Sequence, residues 1–235
     1  MSFNKRILVF SATYNEIENI RELINGIQKN LPNSSILIID DNSPDKTQEV
    51  INELKKKNES LFLIKREKKL GLDSAHRAAF KYAIENNFDY LITMDADLSH
   101  DPSKIPMFID ELNSNSFVIG SRYIEGGRNE TKLSRYLLSI VGNKIIKIVL
   151  GINCEEFTTS YRAFNLSKLS NFDIYKINAQ GYSFFMETIY QIHKSGYLIK
   201  QVPIIFADRK KGISKIPKIE TLRTLKNLFL LKFFS

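Results

Sequence analysis

The sequence predicts an α/β domain built on a mostly parallel sheet with helices on both faces. Three observations carry this. Five short apolar runs, at 6–11, 35–40, 61–64, 90–94 and 117–121, alternate with segments whose apolar residues recur at helical spacing. The polar clusters at 12–16, 40–45, 95–101 and 121–123 all fall where a strand pattern ends, and parallel sheets bind ligands beyond the carboxyl ends of their strands. At 235 residues the chain fits one domain with a sizeable core.

The first run, RILVFS, is compact enough for a buried parallel strand. Ile17, Ile20, Leu23, Ile24, Ile27 and Leu31 then repeat at helical spacing until Pro32 stops them. SILIID is the second strand and runs into Asp40-Asp41-Asn42-Ser43-Pro44-Asp45. The helix after it turns Val50, Ile51 and Leu54 inward and leaves Lys55, Lys56 and Lys57 on its wet side. Leu61 to Ile64 is the third strand, and Gly71 leads into an alanine-rich helix through Ala75, Ala78, Ala79 and Ala83. Tyr90 to Met94 is the fourth. Ile105, Phe108, Ile109 and Leu112 mark the next helix, and FVIGS is the fifth strand.

Residues 131–150 break the pattern. Lys132, Arg135, Ser139, Asn143 and Lys147 form a narrow polar stripe, and apolar residues such as Leu133, Leu137, Val141 and Ile148 cover the rest. A helix so apolar is either buried or lies on a membrane interface. The C-terminus repeats the theme, with Leu225, Leu228, Phe229 and Phe233 punctuated by Arg223, Lys226 and Lys232. Packing of one helix on the other and contact with a membrane both fit. The domain is therefore drawn over residues 1–215, with 216–235 as an amphipathic extension.

The formal net charge of +8 favours anionic partners: nucleic acid, a nucleotide diphosphate or an anionic membrane surface. The single cysteine, Cys154, excludes an intrachain disulfide and fits a reducing compartment. No apolar run reaches the roughly 18 residues a membrane span needs. The N-terminus enters a strand pattern without a signal peptide's apolar region, which predicts a cytoplasmic location.

The loop TMDADLSHDP at 93–102 concentrates carboxylates. On extended chain Asp95 and Asp97 point to the same side, and two carboxylates that close repel unless a cation or donor lies between them. Oxygen-only sets of this kind suit Mg²⁺ or Mn²⁺ shared with substrate phosphates. An acidic loop capping the next helix, with Asp101 as N-cap, fits the same residues.

ATYNE (12–16), IIDDNSPD (38–45), MDADLSHDP (94–102), IGSRYIEGG (119–127), GYSF (181–184) and DRKKGISK (208–215) together resemble glycosyltransferase family 2, closest to the dolichol- or polyprenol-phosphate mannose synthases. The resemblance implies a GT-A fold and a D-x-D-type metal site. It implies that Ala12, Tyr14 and Glu16, with Ile39 and Asp41, line a nucleobase pocket. Asp95, Ala96 and Asp97 would follow the ribose and diphosphate, and the metal, Mg²⁺ or Mn²⁺, would sit on Asp97 with Asp95 and Ser99. Arg122 would reach the diphosphate or sugar, Arg135 the acceptor phosphate, and Arg209 and Lys215 a segment over the nucleotide. The implied reaction is inverting transfer of mannose from GDP-mannose to a polyprenyl (dolichyl-type) phosphate. The chain would work peripherally on the cytoplasmic face of a membrane, with or without a separate anchoring subunit.

The chain departs from the family pattern at Ala12, at Asp45-Lys46-Thr47, at Gly71-Leu72-Asp73, and most at 156–162, where Glu156 and Ser160 stand for aspartate and glycine. These departures keep a UDP-glucose-dependent transferase and an inactive membrane tether open. A nucleic-acid binder accounts for the charge but not for carboxylates at successive strand ends. A dinucleotide oxidoreductase lacks G-x-G-x-x-G after the first strand. His76, His100 and His193 are too scattered to assign to chemistry and are expected to be structural.

Overall fold

The computed structural model describes residues 5–207 and 219–234. In chain order these give β1 (Ile7–Thr13), α1 (Ile20–Asn30), β2 (Ser35–Asp40), α2 (Thr47–Lys55), β3 (Leu61–Lys65), α3 (Leu72–Glu85), β4 (Tyr90–Thr93), α4 (Ile105–Leu112) and β5 (Phe117–Ser121). There follow β6 (Arg128–Asn129), α5 (Leu133–Leu150), β7 (Arg162–Asn165), α6 (Ser183–Lys194), β8 (Ile199–Pro203), β9 (Ile205–Phe206) and α7 (Ile219–Phe234).

The main sheet has the order β3-β2-β1-β4-β7-β5-β8. All its strands run the same way except β7, which is antiparallel to β4 and β5. Strand order reverses between β2 and β4 on either side of β1, which opens a crevice at their carboxyl ends. The five predicted strands are all present. Each carries a continuous apolar run because both faces are covered: Leu8, Phe10, Leu37 and Leu91 pack with α3 and α6, while Val9, Ile36, Ile38 and Ile92 pack with α1, α2 and α4.

At β7 the sequence reading fell short. Arg162-Ala163-Phe164-Asn165 does not read as a strand, yet it is fully buried between β4 and β5. Being reversed, it delivers the residues before it, 156–161, to the edge where β4 and β5 end.

α5 lies at about the predicted boundaries, and α7 packs against both α5 and α6. Its Leu228 and Leu231 join the core cluster on the α3 and α6 side, so the C-terminal helix is docked on the domain. α5 has an unusual orientation. The middle of its polar stripe faces the protein, with Asn143 only 1% exposed, while Lys132 and Arg135 at its start are exposed. Its apolar stripe faces outward, with Leu133 at 69% and Ile148 at 79%. Among the described residues no helix is long and apolar enough to cross a membrane.

Candidate active site

Two neighbouring groups of polar residues line the carboxyl edge of the sheet. The first joins the loops after β1 and β2. Asn15 N–H donates to Ser43 Oγ (2.9 Å), Glu16 N–H to Thr47 Oγ1 (3.0 Å) and Ile17 N–H to Asp45 Oδ2 (3.0 Å). Asp40 is a buried anchor, accepting from Thr13 Oγ1, Ser43 N and Oγ, and Gln48 Nε2. Asp41 forms an ion pair with Arg66 and accepts from Leu70 N–H. Lys69 lies 4.5 Å from the centre of the Tyr14 ring. Of the residues expected around a base, Ala12, Tyr14, Glu16 and Asp41 share this edge. Ile39 is wholly buried in the sheet core.

The second group surrounds the acidic loop after β4. Its three carboxylates have separate roles. Asp101 caps the 3-10 turn Pro102–Lys104, accepting from Ser103 N and Oγ. Asp97 is 5% exposed, and its Oδ1 accepts from Ser99 N (3.1 Å) and Ser99 Oγ (2.6 Å). Asp95, with its side chain one-third exposed, accepts from Ser160 Oγ (2.5 Å). Ala96 is buried between them. Ser99 thus orients Asp97 through its hydroxyl proton.

Asp95 N–H donates to His100 Nδ1 (3.0 Å), so Nε2 carries the ring proton and donates to Thr159 Oγ1 (3.1 Å). Burial lowers the pKa of His100, outweighing the upward pull of Asp95 and Asp97, and keeps the ring neutral. His76 is also neutral, lowered to about 3 by burial and then by Arg162. Both histidines are structural, as expected from the sequence. His100 nevertheless ties the acidic loop to the 156–161 segment.

That segment holds Arg122. Glu156 is wholly buried and binds Arg122 in a bidentate pair, Nε to Oε2 at 2.6 Å and Nη2 to Oε1 at 2.8 Å. Arg122 Nη2 also donates to Thr158 Oγ1 (3.0 Å), and Nη1 takes no part in these bonds. Burial alone would raise the Glu156 carboxyl, but Arg122 and the bonds from Thr158 outweigh it and hold it below the usual range. Glu156 was visible in the sequence only as a departure. Its partner lies 34 positions away, and no local pattern joins the two.

A cavity of about 450 Å³ opens from this edge toward α5 and α7. Its lining combines polar Asp95, Arg122, Arg135, Thr158 and Ser160 with apolar Leu138, Ile145, Ile146, Phe185, Leu225 and Leu228. Arg135 and Arg122, expected on different phosphates, meet on this one cavity. Arg209 and Lys215 lie outside the described residues. Glu187 is buried and accepts Asn178 N–H and Ala179 N–H. Asp73, in the altered GLD, accepts Gly181 N–H (3.0 Å).

Among the described residues no group of three or more His, Cys, Asp and Glu side chains is close enough to hold a metal unaided. Asp95 and Asp97 do supply the hard oxygen donors that Mg²⁺ or Mn²⁺ takes, and such ions draw their remaining ligands from water and substrate phosphates.

The chain belongs to glycosyl transferase family 2, whose model matches residues 8–172. It is a glycosyltransferase with the GT-A fold. It is 34% identical over 212 residues to undecaprenyl-phosphate mannosyltransferase of Micrococcus luteus, covering 90% of this chain and 87% of that protein. It is 31% identical over 215 residues to polyprenol monophosphomannose synthase of Mycolicibacterium smegmatis, covering 90% and 81%. Among solved structures, glucosyl-3-phosphoglycerate synthase of Mycobacterium tuberculosis, with Mn²⁺, UDP and glucosyl-3-phosphoglycerate, superposes with a TM-score of 0.66 at 16% identity, covering 97% and 78%. A mannosyltransferase of Pyrobaculum calidifontis with GDP-mannose and Mn²⁺ gives 0.58 at 19%, covering 90% and 59%.

Proposed function

We propose that this chain transfers mannose from GDP-mannose to the phosphate of a polyprenyl phosphate, with inversion, at a membrane surface. The observation that carries the reading is the mixed lining of the cavity. Its arginines suit an anionic headgroup, and its apolar residues from α5 and α7 suit an isoprenoid chain. The names of the two relatives support the acceptor class and the sugar.

Chemically, a phosphate oxygen of the acceptor attacks C1 of the sugar while the bond from C1 to the nucleotide diphosphate breaks, so an α-linked donor gives a β-linked product. The acceptor is already anionic near neutral pH, and no side chain is required as a strong base. Asp95 and Asp97 would hold a divalent ion, which would supply charge neutralisation for the diphosphate leaving group. Arg122 presents Nη1 to phosphate while Glu156 and Thr158 fix its other edge. Arg135 draws in the acceptor phosphate, and Ser99 and Ser160 orient the two carboxylates. Alignment and charge stabilisation supply the catalysis. The outward apolar stripes of α5 and α7 rest on the lipid surface.

The test supplies labelled GDP-mannose or UDP-glucose, with Mg²⁺ or Mn²⁺ and a short polyprenyl phosphate, to the wild type and to Asp97→Ala. Label entering the lipid phase from GDP-mannose alone, and lost in Asp97→Ala, is the expected result. Transfer from UDP-glucose instead reassigns the donor. No transfer from either overturns the reading.

A further inference from the structure

We infer that α5 transmits membrane docking to the active site, with Asn143 as the positioning residue. This deepens the proposed function and rests on its reading of the α5 and α7 surface. The two faces of α5 do opposite jobs. Outside, Leu133, Leu137, Val141 and Ile148 form one ridge with Lys144 among them. Beside it α7 exposes Leu225, Phe229 and Phe233, flanked by Lys226 and Lys232. A soluble helix normally turns such residues inward. α5 carries no acidic residue, so the occupant its chemistry fits is an anionic lipid bilayer, with lysines at headgroup level and aliphatic side chains below.

Inside, the polar stripe grips the segment that holds Arg122. Asn143 Oδ1 accepts Phe157 N–H at 2.7 Å, and its Nδ2 donates to Ser139 O at 2.9 Å. Lys147 forms an ion pair with Glu155. Tyr123, next to Arg122, donates to Ser139 Oγ at 2.7 Å. The residues so held flank Glu156, whose carboxylate grips Arg122. A shift of α5 therefore moves the guanidinium that lines the cavity. Seating the outer ridge in a bilayer fixes the helix, and so fixes Arg122.

The docking and exchange readouts need no donor: the chain contains no tryptophan, so a single Ile148→Trp reporter shows docking by its emission. Hydrogen exchange over residues 152–160 is measured with and without vesicles of anionic phospholipid. In the reporter background, vesicles are expected to shift the emission and to slow exchange at the Phe157 amide. Adding Asn143→Leu preserves the emission shift, speeds basal exchange on the order of ten-fold by orphaning a buried amide, and removes the vesicle effect. Transfer to a short water-soluble prenyl phosphate is measured alongside. Its stimulation by vesicles should fall toward one in Asn143→Leu, whereas a purely structural lesion lowers both rates by the same factor. If Asn143→Leu does not fold, Lys147→Met carries the test, since it sits at the part-exposed end of the stripe, and a partial loss of stimulation is expected.

Docking with unchanged Phe157 exchange, or an equal vesicle effect in the variants, overturns the inference. So does an emission already shifted without vesicles and dependent on protein concentration, which would make the ridge a contact between copies. Absence of mannose transfer alongside intact docking and exchange coupling refutes only the proposed donor and acceptor.

Discussion

Removing both partners of the Arg122–Glu156 pair should cost little more than removing either one. Glu156 has no exposed side-chain surface and Arg122 only 9%, so either one left alone is a charge in a poorly solvated site. Breaking a buried pair of this kind costs about 3–5 kcal/mol. In a domain of this size each kcal/mol lowers the melting temperature by roughly 2–4 °C. Taking 3 kcal/mol, Glu156→Ala and Arg122→Ala should each melt about 6–12 °C below the wild type. The double variant should fall no more than about 1 kcal/mol below either single one, because the second deletion removes the charge the first had orphaned. Thermal unfolding followed by far-UV circular dichroism, with a urea titration to convert midpoints into free energies, measures all four corners of the cycle. Additive losses would refute the reasoning. Transfer activity separates fold from function: Glu156→Ala keeps the guanidinium but loses its alignment, so kcat should drop more than donor affinity.

The remaining predictions concern other parts of the site. Ser99→Ala removes the hydroxyl bond to Asp97 and should weaken activation by Mn²⁺ roughly 10-fold or more, read from a metal titration of the rate. Gly127 has no room for a side chain, since a Cβ there would meet Ser121 O at 2.6 Å and the Arg122 carbonyl carbon at 2.9 Å. Gly127→Ala should cost about 1–3 kcal/mol and lower activity by displacing Arg122, checked by melting and turnover together. His76 has a folded pKa near 3 and an unfolded one near 6.5, so only the unfolded state takes its proton between those values. Its contribution is complete above pH 6.5 and is lost as the pH falls toward 3, at up to about 1.4 kcal/mol per pH unit. His76→Phe should flatten the stability profile from pH 6.5 to 5.

The sheet was legible in the sequence wherever burial on both faces enforced continuous apolar runs, as in β1, β2, β4 and β5. It was illegible at β7, which begins on the buried Arg162 and ends on the buried Asn165. Both are held by partners distant in sequence or by backbone carbonyls, such as Thr159 O and Leu112 O. The motif residues around the acidic loop could be located from their spacing, and Asp101 is the cap that the sequence offered, at the turn Pro102–Lys104. That Ser99 donates to Asp97 depends on a hydroxyl direction that only the folded loop sets. Periodicity likewise showed that α5 has two faces without showing which is inside. Ser139 and Asn143 decide that, because the site offers them partners and bulk apolar surface does not.

The reversed direction of β7 gives the chain a joint at which to vary. β5 and β7 are adjacent and antiparallel, so everything between Ser121 and Arg162 is one long excursion from a hairpin, leaving and rejoining the sheet at neighbouring points. Its middle, around α5, can be lengthened, shortened or re-aimed without re-registering a single strand of the main sheet. A transferase built this way can change what it delivers sugar to by varying that middle, while the two ends, which carry Arg122 and the 156–161 segment, stay fixed to the sheet.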